Sequence, residues 1–340
     1  MADSALTGSG FPDHRIMHFA RLAMQNKRTH SMRNFLKEEQ KGYLLVFFSG
    51  VLWGTIGLFV KWMGQLGSTP TFTSFCRMAF ALPILSVLTL IKCGPRAFLI
   101  DKYSLRSCAL MGLICQAAYN FLYSFAVDLL GVSVSAVLLY ISPVFTTILS
   151  YFIFHEKISL RKCLALTLNI AGCALTVTGG KLSGLQLSLI GLLFGLGSAL
   201  CYSFSAIFGR FATARCNPYV ASTYNFAFAT LFLLLFTQPW QGMAGKISPM
   251  LLLAGFGFAL IPTAITYLLY FTGLQKVKET SRVPVLASVE TVVATLIGIF
   301  AFGEEVGVVN WLGIGLVFAS ILLMNLKKRR ASLPSLEKEV

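Results

Sequence analysis

The sequence predicts an all-α, polytopic membrane protein with ten transmembrane helices in two inverted five-helix repeats. Three observations lead there. Of 340 residues, 56% are hydrophobic and only 12% charged, whereas an ordinary soluble chain carries about 25% charged residues. The apolar residues gather into ten stretches near the roughly 20 residues a helix needs to cross a bilayer. The basic residues then alternate between successive loops, as the positive-inside rule requires.

Taken in order, the stretches run near 42–64, 71–91, 106–126, 132–154, 161–180, 185–209, 217–237, 249–272, 283–302 and 308–326. Most boundaries carry turn or helix-breaking residues, among them Gly67 to Pro70, Gly94-Pro95, Gly179-Gly180, Asn217-Pro218 and Ser248-Pro249. The runs are too long, and alternate too little, for the strands of a membrane barrel. Lys92, Arg96, Lys102 and Arg106 lie between spans 2 and 3, Lys157, Arg161 and Lys162 between 4 and 5, Arg210 and Arg215 between 6 and 7, and Lys276, Lys278 and Arg282 between 8 and 9. The intervening loops hold only Lys181 and Lys246. This asymmetry places both termini in the cytoplasm. Residues 1–40 form a basic tail without the apolar core of a secretory signal. It is read as a cytoplasmic tail at an anionic lipid surface, with a transit peptide as the alternative. Residues 328–340 form a second cytoplasmic tail.

The two halves, 41–182 (spans 1–5) and 183–327 (spans 6–10), resemble each other at an offset of about 148 residues. Arg77, Ala79, Phe80 and Ala81 face Asn225, Ala227, Phe228 and Ala229; Tyr119 faces Tyr267, Ser133 faces Ser281, and Phe154 and Glu156 face Phe302 and Glu304. With one residue of slip, Trp53 and Lys61 face Tyr202 and Arg210. Five spans per half is an odd number, so the second half enters from the opposite side. Such inverted repeats are a common architecture of secondary transporters, with the substrate site near the midplane between the halves.

Ionisable residues inside the bilayer are costly, roughly 2.5–3.5 kcal/mol at a helix centre on insertion scales, and each requires a reason. Glu290 lies about seven residues into span 9, roughly 10 Å deep at 1.5 Å per residue. A carboxylate there is a candidate proton carrier; the structural alternative is a fixed hydrogen bond to a neighbouring helix. Arg77, at similar depth in span 2, is a candidate for an anionic substrate group or for internal pairing. Lys61 and Arg210, nearer the membrane faces, are read as snorkelling. Glu156 and Glu304, at span ends, are read as capping or loop-anchoring residues.

Aromatic and polar candidates for the cavity wall are Trp53, Tyr119, Asn120, Tyr123, Tyr140, Ser142, Tyr202, Tyr224, Asn225 and Tyr267. Aromatic faces suit cationic or amphipathic solutes. Pro143 and Pro262 are expected to kink their spans and free carbonyls. Gly50 and Gly54, like Gly191 and Gly195, suggest close helix contacts.

Several motifs resemble the drug/metabolite transporter superfamily, specifically its ten-helix EamA-type transporters. These are Gly50, Trp53 and Gly54 with Lys61 in span 1, Arg77 in span 2, Ser142-Pro143-Val144-Phe145 running to Glu156 and Ser159, Ser288 with Glu290, then Gly303-Glu304, and Trp311 with Gly313. The resemblance covers about residues 42–326. It departs from the family pattern at Thr291, where Pro usually follows the Glu and a helix break is expected. The resemblance implies transport of a small organic metabolite, an amino acid or related compound, with export as the direction and a cell membrane as the site; an organelle membrane is the alternative.

The expected function is therefore a secondary transporter working by alternating access, coupled to protons through Glu290. Its partners are a small-molecule substrate, the bilayer and protons, with no nucleic acid; monomer and homodimer both stay open. The alternatives are a channel or lipid scramblase on the same scaffold, or a non-transporting receptor or scaffold. No enzyme is expected. His155-Glu156 lacks the second His of a zinc motif, since Ser159 stands there, and Gly180-Lys181 lacks the rest of a phosphate-binding loop. The eight cysteines show no CxxC pair and read as reduced, mostly apolar-lying residues. No metal or cofactor is expected.

Overall fold

A computed structural model describes residues 37–180 and 188–325. They form ten helices long and apolar enough to cross a membrane: α1 (Lys37–Gln65), α2 (Pro70–Cys93), α3 (Lys102–Leu130), α4 (Ser133–Phe154), α5 (Leu160–Thr178), α6 (Leu189–Thr213), α7 (Pro218–Thr237), α8 (Pro249–Lys276), α9 (Thr280–Phe302) and α10 (Val308–Asn325). The described residues contain no strand. The basic residues of the two tails other than Lys37, and Lys181, lie outside the described residues; residues 37–40, read as the end of the N-terminal tail, are the first turn of α1.

Sequence chemistry sets the helix starts. Thr69, Asp101, Ser159, Ser188, Asn217 and Ser248 each accept a backbone N–H of the following first turn through a side-chain oxygen. In α2, α7 and α8 a proline follows the cap, where its missing N–H costs nothing. Many large apolar side chains point outward, for example Leu189, Ile190, Leu235, Phe236 and Phe300. They need lipid, not water, around them.

The halves pack across one another, α5 on α10, α2 on α7 and α3 on α6. Gly172 and Gly313 make the α5–α10 crossing possible: a Cβ on Gly172 would stand 2.9 Å from the Gly313 carbonyl, and one on Gly313 would stand 2.7 Å from that of Gly172. Ten crossings bring the start of α1 and the end of α10 to one side, here the terminal face; the other is the distal face.

Five departures from regular helix position the interior, the first being the interruption of α1 at Gly54 and Thr55. α3 and α8 carry π-helical stretches at corresponding places, Met111–Ala118 and Leu260–Ile265. α4 breaks at Tyr140 and Ile141, and α9 breaks at Ser288. π-segments mark functional places inside helices, and discontinuous spans line transport sites. Pro262 lies inside the α8 π-segment. Pro143, expected to kink α4 itself, instead sits in the first turn after the break, in the helical segment Ser142–Phe154.

Candidate functional site

The break in α9 decides where Glu290 stands. The helix resumes at Val289, so Glu290 occupies the first turn of the segment Val289–Phe302, at the positive end of a half-helix dipole. The break is held by side chains. Asn169 of α5 donates from Nδ2 to Ser288 Oγ (2.6 Å) and Ser320 Oγ of α10 (3.2 Å), and Ser288 Oγ donates to the Val285 carbonyl (2.7 Å). α1 closes on the same point. A Cβ on Gly50 would stand 2.5 Å from the Ala287 carbonyl oxygen, and one on Gly54 would stand 2.5 Å from Val293 Cβ and 2.9 Å from the Glu290 carbonyl oxygen.

Glu290 is half-buried and accepts no hydrogen bond from the described residues; its side chain lies within the electrostatic field of Arg77. The two charges form no ion pair within 4 Å among the described residues. Arg77 donates from Nε to Thr263 Oγ1 (3.0 Å) in the α8 π-segment and lies 5.4 Å over the Phe258 ring. Thr263 in turn donates to the Phe258 carbonyl (3.0 Å), a five-residue step that the π-geometry provides.

A ring of tyrosines surrounds these charges. Tyr119, Tyr123, Tyr140, Tyr202 and Tyr267 all lie in the field of Glu290. Tyr119 sits with its ring centroid 5.8 Å from that of Tyr123 and 5.4 Å from that of Tyr202. Tyr267 accepts a hydrogen bond at Oη from Gln116 Nε2 (2.8 Å), and its ring meets Trp53 at 5.3 Å and Phe226 at 4.8 Å. Trp53 also packs on Tyr270 at 5.1 Å. Below it, toward the terminal face, Trp53, Thr146, Tyr202, Ser205, Tyr270 and Pro284 enclose a void of only about 10 Å³, room for about one water.

The other side is open. A cavity of about 710 Å³ is lined by Tyr140, Thr291, Ala294 and Thr295 at depth and by Glu304, Glu305 and Asn310 at the distal face. Its deep end reaches the helical turn that carries Glu290.

The remaining candidates stand at varying distance from this ring. Ser142, the counterpart of Glu290, is buried in the first turn after the α4 break. Asn120, half-buried, donates from Nδ2 to the Gln116 carbonyl (2.6 Å) and lines a separate side cavity with Phe121, Ser124 and Leu233. Tyr224 stands apart, its hydroxyl donating to the Phe98 carbonyl (2.8 Å) in the α2–α3 connection. Asn225 is 1% exposed, with neither amide atom hydrogen-bonded. Sequence reading gave no signal for Thr263 or Asn169, since a threonine or asparagine in a span is ordinary until its partner is known. The described cysteines are free, and no group of three or more His, Cys, Asp or Glu among the described residues could hold a metal ion.

Lys61 and Arg210, read as snorkelling residues, also make ion pairs. Arg210 pairs with Glu156 at 3.1 Å and Lys61 with Glu304 at 3.7 Å. Each cation also lies over a phenylalanine, Phe154 at 4.3 Å and Phe302 at 3.6 Å.

Comparison with known proteins agrees with this architecture. The profile of the EamA-like transporter family matches residues 40–178 and 189–326. An uncharacterized transporter of Archaeoglobus fulgidus is 30% identical over 83% of this chain and 95% of its own length. The uncharacterized inner membrane transporter YicL of Salmonella typhimurium is 25% identical over 86% of this chain and 97% of its own. A crystal structure superposes with a TM-score of 0.71 at 17% identity, over 84% of this chain and 97% of that one, which shows a shared fold. With the family profile covering both five-helix halves, this multi-pass membrane protein belongs to the EamA-like transporters of the drug/metabolite transporter superfamily.

Proposed function

We propose that the protein is a secondary transporter that exports a small zwitterionic metabolite, an amino acid or related compound, by alternating access. One observation carries this reading: Glu290 and Arg77, of opposite charge and both half-buried within apolar spans, lie within electrostatic reach of one another without an ion pair within 4 Å among the described residues. Each costs several kcal/mol at that depth without an ionic partner. A solute with an ammonium and a carboxylate satisfies both at once, the carboxylate at Arg77 and the ammonium at Glu290 among tyrosine faces. Glu290 is also the proton carrier in this reading. Exchange of a proton lets the carboxylate cross the cycle without carrying an unpaired charge through the interior. In this reading the terminal face, which carries the basic loops, lies in the cytoplasm of a cell membrane, as the positive-inside rule supports. The distal cavity is then the exit side.

Counterflow of labelled amino acids into proteoliposomes tests the reading. Saturable exchange is expected, lost at least about tenfold in Glu290→Gln and in Arg77→Ala, a drop of about 1.4 kcal/mol or more in transition-state stabilisation. Undiminished exchange in both variants removes these residues from the site. Glu290→Gln with unchanged pH dependence removes the proton role alone. Flux that does not saturate and shows no counter-exchange points to a channel instead.

A further inference from the structure

The repeat that duplicates the helices also duplicates a latch. At the terminal face, Glu156 follows the end of α4. It is 8% exposed and accepts hydrogen bonds from Thr280 N (2.6 Å), Ser281 N (3.1 Å) and Ser281 Oγ (2.5 Å), all at the start of α9. Arg210 pairs with it while lying over Phe154. Lys162 adds a second cation, 3.7 Å from Glu156 and 2.7 Å from Glu279, and donates to Ser281 Oγ (2.8 Å). This cluster ties Glu156 and Lys162 of the first half to Arg210, Glu279 and Ser281 of the second.

Phe154, Glu156, Arg210 and Ser281 of this cluster have counterparts at the distal face. Adding 148 turns Phe154, His155 and Glu156 into Phe302, Gly303 and Glu304; Ser133 becomes Ser281, and Lys61 corresponds to Arg210 with one residue of slip. The geometry repeats where it is already formed. His155 and Gly303, which precede the two glutamates, both adopt the left-handed conformation, at φ 53° and 65°. Lys61 lies over Phe302 and reaches Glu304 as Arg210 lies over Phe154 and reaches Glu156. One contact is missing. Glu304 is 60% exposed on the rim of the distal cavity, and Ser133, at the start of α4, is exposed too.

We propose that Glu304, Lys61 and Ser133 form a second latch that closes the distal face in the other state of the transport cycle, Glu304 capping the start of α4 as Glu156 caps the start of α9 here. The inference rests on the alternating-access reading above. It assigns functional roles to three residues outside the substrate site. It also gives the two states unequal strength. The positions that correspond to Lys162 and Glu279 are Asn310 and Gly131, so the distal latch has one cation where the terminal latch has two. The terminal-closed, distal-open state is therefore the resting one in the absence of solute.

Spin–spin distance measurements on the full chain in nanodiscs test this. Nitroxides are attached through a keto amino acid at positions 128 and 308, both exposed near the distal face, which leaves the native cysteines in place. Releasing the terminal latch with Arg210→Gln, or more gently with Ser281→Ala, is expected to raise a short-distance component by about threefold or more. Adding Glu304→Gln or Ser133→Ala is expected to remove that gain, while Glu305→Gln, at the exposed neighbouring carboxylate, leaves it. A short component that appears but ignores Glu304→Gln and Ser133→Ala overturns the latch and leaves alternating access standing. No short component in any variant, with or without an amino-acid mixture, overturns both.

Discussion

The breaks in α4 and α9 occupy equivalent places in the two repeats, yet they are built and used differently. After the α4 break come Ser142 and Pro143; after the α9 break, at the same positions, come Glu290 and Thr291. Proline at the start of the α4 segment removes an N–H that would have no helical partner. α9 lacks that proline and breaks all the same, because Asn169 holds Ser288 and the small face of α1 presses against Ala287 and Glu290. Duplication has preserved the backbone interruption. The chemistry has diverged, with a neutral hydroxyl on one side and a carboxylate on the other.

That contrast can be tested from its strongest consequence downward. Replacing Glu290 by Ser makes the two breaks chemically alike; counterflow is expected to fall at least about tenfold, whereas Ser142→Ala should stay within about threefold. Equal losses in both would mean that the breaks share the chemistry. Gly54→Val drives a side chain into Val293 and the Glu290 carbonyl. Overpacking of this kind costs about 1–3 kcal/mol, read as a lower thermal midpoint in detergent; an unchanged midpoint would show that α1 does not brace the α9 break.

Asn169→Leu strands Ser288 and Ser320 without their shared donor. A loss of about 1–3 kcal/mol is expected, again in the thermal midpoint, and its absence would remove Asn169 as the substitute for the missing proline. Pro143→Ala should be the mildest, below about 1 kcal/mol, since the α4 break precedes the proline. A larger loss would make the proline the cause of that break.

The terminal latch adds a pH test of smaller size. Burial opposes ionisation of Glu279, but the hydrogen bonds and charges of Lys162 and Arg282 outweigh it and hold its carboxyl below the ordinary 4.5. A depressed folded value means that the contribution is complete above the unfolded value and fades as pH falls through the folded one. The stability difference between wild type and Glu279→Gln, followed by thermal unfolding against pH, should be constant near neutrality and shrink only below about pH 4.5. A difference that already shrinks near pH 6 would contradict the pairing.

The parts of the site legible in the sequence were those that break a composition rule. A carboxylate at position 290 and a guanidinium at position 77 are conspicuous because apolar spans exclude charge. Tyr119, Tyr123, Tyr140, Tyr202 and Tyr267 were visible as aromatics near mid-span, but the same composition also pointed to Tyr224, which the fold turns toward Phe98 at the α2–α3 connection. Glu156 as an anchoring residue was legible from its place at a span end. Its partners Thr280, Ser281 and Lys162 were not, because they come from distant segments and polar residues near span ends are common.

What the sequence determined alone was the number of spans, their approximate limits and the existence of a repeat. Those properties are local: about 20 apolar residues, turn or helix-breaking residues between them, and a similarity counted along the chain. The tertiary structure alone decided where the spans fail to be regular helices and which charges meet. Pro262 marks the α8 π-segment in the sequence, but the π-segment of α3 and the proline-free break at Ser288 carry no residue signature of their own, since a neighbouring helix supplies the contacts that stabilise them. Whether Glu156 is sealed while Glu304 stays open depends on the distance between two halves of the molecule, a quantity no single stretch of residues encodes.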